Sequence, residues 1–152
     1  MDLEAIVVGA VPPRLVEPMT RALTQLGNGI ATGTHRKALQ GALNVEQAGL
    51  DLLLQFSPIV EIDIDRFLLW TRRIIVDVQS EYADGLKGDA STLEWIRDHI
   101  ASSLDKTDVT SIDKLLKDLR GIVNDEDFGA AKMKARELEA IVENAATRPL
   151  VC

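Results

Sequence analysis

From Ile64 to Tyr82 the residues Ile64, Phe67, Leu68, Thr71, Ile74, Ile75, Val78 and Tyr82 recur at spacings of three, four and one. That spacing keeps a mostly apolar stripe on one side of a chain turning about 100° per residue, which a helix can bury and a strand cannot. The stretch just before it, "PIVEIDID", imitates a strand, because apolar and acidic residues alternate from Val60 to Asp65. A stapled helix start produces the same alternation. With Asp63 as N-cap, its carboxylate accepts from first-turn amides, while Ile62 and Phe67 take the two positions of a hydrophobic staple. Asp65 then lies in the first turn, where the helix dipole favours an acid. Ser57-Pro58 offers an earlier start, and Gly85 marks the expected end. A calcium loop is a poor match, since "DIDRFLLW" lacks the later ligands.

Other segments repeat the pattern. "STLEWIRDHIASSL" opens on Ser91 with Glu94 three residues on, a capping box, and carries Leu93, Ile96, Ile100 and Leu104 on one face. "DVTSIDKLLKDLRGIV" spaces Val109, Ile112, Leu116, Leu119 and Val123 at threes and fours, and "DEDFGAAKMKARELEAIVENAA" does the same with Phe128, Ala131, Ala135, Leu138, Val142 and Ala145. Joined by the acidic residues 124–127, these two predict an antiparallel helical hairpin over 108–146. Toward the N-terminus a helix is expected over 13–26, with Pro18 near its start or kinking it. "GNGIATG" over 27–33 reads as an interhelical loop, and 34–56 as helical with a break near Leu43-Asn44. Residues 2–10 fit a short strand or a helix equally. Aromatic residues are only 4%, so the core must come from Leu, Ile, Val and Ala, which suits helix on helix. The expected fold is all-α, a bundle of five or six helices with a C-terminal antiparallel hairpin. The 152 residues read as a single helical domain (1–152), with a subdomain boundary placed near 85–90 between N-terminal helices (1–86) and a three-helix part (89–147).

Charge and chemistry narrow the function. The net charge of −7 repels phosphate and disfavours DNA and anionic lipid. The one cysteine, Cys152, allows no internal disulfide and no cysteine metal site. "MDLEAIVVGAVPP" carries acids where a secretory signal carries Lys or Arg, and Arg72-Arg73 interrupt the best candidate for the ~18 apolar residues of a spanning helix. A cytoplasmic protein with no membrane segment is expected.

Gly27, Gly29 and Gly33 superficially resemble a nucleotide-binding turn, but a helical segment precedes them where that turn needs a strand. His35, Arg36 and Lys37 follow at a helix start and form a weak candidate anion site. Residues 34–56 have the apolar spacing of a helix-turn-helix, with Leu39, Val45, Leu50 and Leu53 at core-like places. Its reading helix would carry Glu46 and Asp51 and no Lys or Arg, so phosphate and guanine contacts are missing. Over one helix, "NVEQAGLDLLL" resembles the last helix of ubiquitin-associated three-helix domains; the hydrophobic loop of that family is replaced by "GNGIATG". Asp127-Phe128-Gly129 spells the kinase metal triplet without a catalytic loop or the length for that fold. His35 and His99 are far apart, and no Glu-x-x-His pair is present. No catalytic residues, cofactor or metal site are therefore expected.

One feature asks for a partner. If Ile64, Phe67, Leu68, Ile75 and Val78 face inward, Leu69 and Val76 project almost oppositely, with Arg66, Arg72 and Arg73 around them and Trp70 at the edge. Trp and Arg are enriched at interfaces. Leu69, Trp70, Arg72, Arg73 and Val76 are the candidate partner-binding residues, for another protein or a second copy. The competing reading places this second stripe against another helix of the same chain. The function expected is a non-enzymatic protein–protein interaction module, with a nucleic-acid-binding regulator using 34–56 as the alternative.

Overall fold

The computed structural model describes residues 12–81 and 83–148, Ser80 by its backbone alone. Every regular element among them is helical: α1 (Pro13–Ala31), α2 (His35–Leu53), α3 (Ile59–Asp77), α4 (Ala83–Ile100), α5 (Lys106–Asn124) and α6 (Phe128–Ala146), with 3-10 turns at Val78–Ser80 and Ala101–Ser103. The protein is an all-α helical bundle. The expectation for residues 2–10 lies outside the described residues. The chain divides into two compact units at Ser57–Pro58, whereas the boundary expected near 85–90 falls inside α4.

The first unit contains the α1–α2 pair. Gln25 accepts from Asn44 at 2.9 Å, and a Cβ on Gly29 or Gly41 would lie 2.6 Å from the backbone of Ala38 or Leu26 respectively. These partners run in opposite order along the two helices, so the pair is antiparallel. Glycine is required at both close points, because any side chain would push the helices apart. Gly27 and Gly29 therefore belong to α1, and the expected loop over 27–33 shrinks to Thr32–Thr34. Pro18 sits inside α1, and α2 runs through Leu43-Asn44 without a break.

The second unit is a closed set of four helices, in which α3 packs on α4 and α6, and α5 packs on α4 and α6. Side-chain pairs fix their directions. His99 of α4 lies beside Asp63 of α3, Arg97 of α4 pairs with Asp113 and Glu94 with Arg120 of α5, and Arg148 beyond α6 reaches Asp105 and Asp108 at the start of α5. Asp63 with His99, and Arg148 with Asp105 and Asp108, join opposite ends, and the α4–α5 pairs run in opposite order along the two helices, so successive helices alternate in direction. Phe67, Leu86, Leu93, Ile96, Ile100, Ile112, Leu119, Leu138 and Val142 form the core at 0–1% exposure. Burying each such side chain is worth roughly 1.5–3 kcal/mol.

Of the two starts the sequence offers for α3 the structure takes the earlier, and the start of α4 differs from expectation. α3 begins behind Pro58, whose ring fixes the backbone before the first turn, so Asp63 is an interior residue rather than the N-cap. α4 begins at Ala83 and carries Gly85 and Gly88 within it, so Gly85 ends nothing and Ser91 caps nothing. By contrast Asp127 is the N-cap of α6 and accepts from the Ala130 amide at 2.9 Å. The kinase-like triplet is thereby explained as a helix start.

Candidate functional site

The second face of α3 is not a free surface. Leu69 is 0% and Val76 8% exposed, which corrects their assignment as partner-binding residues. Ile62, Leu69 and Val76, one heptad apart, are all buried. Arg72 donates to Glu139 of α6 at 2.8 Å and lies 3.5 Å from Glu143. The Arg73 guanidinium sits 4.8 Å from the centre of the half-buried Trp70 ring, a cation–π contact. Both cations are thus engaged within their own unit, and Arg66 donates to Asp63 at 3.1 Å. The stripe is what a central helix shows when it is covered on two sides.

His35, Arg36 and Lys37 are exposed on the first turn of α2. The glycines before them do not form a phosphate-holding turn, since Gly27 and Gly29 are helical. The helix-turn-helix reading also fails on geometry, because His35–Leu53 is one uninterrupted helix with no turn between two parts.

Three features were not visible in the sequence. The first is an apolar stripe on α1. Leu23 is 53% and Ile30 65% exposed, and with the half-buried Val16 and the exposed small residues Thr20 and Gly27 they follow intervals of four and three. Among the described residues nothing lies within 4 Å of where a Cβ on Gly27 would be. Among the described residues the helix buries its Ala22 and Gly29 edge, while this stripe, on another side of α1, lies exposed. On the other side of α1, Pro18, Arg21, Gln25, Asn44, Gln47 and Asp51 line a shallow polar groove of about 340 Å³ where α1 meets α2.

The second feature is Asp63, 3% exposed, with His99 Nδ1 3.4 Å from its free oxygen and the His99 ring 4.0 Å from the exposed Trp95. The contact joins α3 to α4 and sets the imidazole between the Asp63 carboxylate and the Trp95 ring. The third is Asp89 of α4, a buried acid opposite Asp77 and Arg73. Burial first, and Asp77 second, push its carboxyl up to about 7, with Arg73 pulling the other way.

Among the described residues no three His, Cys, Asp or Glu side chains are grouped to hold a metal ion, and no helix is long and apolar enough to cross a membrane. No family model matches this sequence, and no curated protein or solved structure matches it.

Proposed function

We propose that the chain is a non-enzymatic helical protein–protein interaction module, an adaptor, regulator or assembly subunit working in the cytoplasm. The observation that carries this reading is the uncovered stripe of α1, with Leu23 and Ile30 one heptad apart and more than half exposed. Apolar knobs separated by small residues at intervals of four and three are what a second helix needs to interlock. Single exposed leucines are ordinary on protein surfaces, but a continuous stripe marks a contact. The partner therefore presents an amphipathic helix, and a second copy of the chain has one to offer.

The test uses the whole chain and its Leu23→Glu/Ile30→Glu variant. Molar mass is measured by light scattering on a sizing column, and each protein is used as bait at physiological salt, with the eluate read for nucleic acid. The reading expects a stoichiometric protein partner or a dimer, lost in the variant while the melting midpoint stays within a few degrees. Association that survives the double substitution, or nuclease-removable nucleic acid as the retained species, overturns it.

A further inference from the structure

The first half of α4 is poorly suited to be a helix. Residues 83–90 read "ADGLKGDA", and its glycines at 85 and 88 lower helix propensity. A Cβ on Gly88 would meet nothing within 4 Å among the described residues, so their packing does not demand glycine there. Leu86 and Ala90 anchor the segment, at 0% and 4% exposure. Immediately downstream lies a complete capping box that is not in use. Ser91 Oγ donates to the Lys87 carbonyl at 2.9 Å, and Glu94 pairs with Arg120 of α5. The chain thus carries two helix starts, the occupied one at Ala83 and an idle one at Ser91.

Asp89 lies between them. It is 7% exposed, and its Oδ2 is buried with no hydrogen-bond partner among the described residues, a costly arrangement for an ionised carboxylate. Asp77 and Arg73 act on it from α3. On its own helix the neighbouring charges are Asp84, Lys87 and Glu94, and α5 presents Arg120 across the groove lined by Lys87, Ala90 and Ser91. The connection to α3 is already non-α, a 3-10 turn at Val78–Ser80 closed by Glu81 at φ 51°.

We propose that Asp89 is a proton-controlled latch on the start of α4. With its proton, the side chain stays buried and residues 83–90 remain helical. Once the proton leaves to solvent, the segment unwinds to hydrate the carboxylate, and the helix restarts at Ser91, with Glu94 exchanging Arg120 for the cap. The unwound state releases Leu86 from the bundle, so the latch couples proton concentration to exposed apolar surface beside α3 and α5.

Hydrogen exchange on the intact chain tests this, with amide rates corrected for their intrinsic pH dependence. Between pH 6 and pH 8 the ionised fraction of a group titrating near 7 rises from about a tenth to about nine tenths. Protection over 83–90 is expected to fall roughly tenfold relative to 93–100 in the wild type. Asp89→Asn should remove the change, and Ser91→Ala, which keeps the carboxyl and deletes the idle cap, should reduce it. Equal protection at both pH values, a fall shared by 93–100, or a fall that persists in Asp89→Asn overturns the latch. A fall untouched by Ser91→Ala overturns the restart at Ser91.

Discussion

A carboxyl group that keeps its proton longer folded than unfolded makes stability depend on pH in a known direction. Asp89 moves from the ordinary carboxylate value of 3.8 to about 7 on folding. Its contribution is fully present below the ordinary value and is lost as pH rises through the folded one. At about 1.4 kcal/mol per unit, the loss between pH 4 and pH 7 is about 2–4 kcal/mol. Urea unfolding of the wild type and Asp89→Asn across pH 5 to 8 should show the variant gaining relative stability as pH rises. Parallel curves would contradict this. The glycines make an opposite pair at the same scale. Gly41→Ala places a methyl 2.6 Å from the Leu26 backbone and should cost about 1–3 kcal/mol. Gly27→Ala meets nothing within 4 Å inside α1 and should add about 0.5–1 kcal/mol. Both are read by thermal unfolding.

At the scale of the element, the periodic helices were legible, and so were the starts of α1 at Pro13 and α2 behind Thr34, but the start of α4 was not, and α3 offered two. Ile112, Leu116, Leu119 and Val123 of α5, and Ala131, Ala135, Leu138, Val142 and Ala145 of α6, are buried as their spacing demands. Their faces are single, so period and burial agree. The starts of α3 and α4 were displaced because local capping signals at Asp63 and Ser91 compete with tertiary packing, and Leu86 in the core outweighs an available cap. "GNGIATG" misled for a related reason. Its Gly29 serves the approach of α1 to α2, a contact between segments apart in sequence, and glycine reads locally as a loop. The second stripe of α3 was visible, but whether it was covered was not, because period reports a face and never what lies against it. Changing Leu69 to Asp should therefore unfold the protein or cost about 3 kcal/mol or more, since a charge would replace a fully buried side chain. Circular dichroism melting checks this; an unchanged midpoint would restore the face to the surface.

For the whole molecule, composition settled the class. A chain with few aromatics, plentiful Leu, Ile, Val and Ala and stripes at helical period has little choice but helix on helix. The candidate surface was beyond its reach, because Leu23 and Ile30 look like core residues until the structure leaves them uncovered. An apolar contact also fits the net charge of −7. Association through α1 should tolerate raised salt, unlike binding to nucleic acid, whose affinity falls steeply with salt. The most direct measurement is the molar mass and partner content of the intact chain, with and without Leu23→Glu/Ile30→Glu, at physiological and raised salt. A dimer or a stoichiometric protein complex that persists in salt and is lost in a folded variant is the predicted result. A wild type that stays monomeric and without a protein partner, or a complex the variant leaves intact, would contradict the interaction module.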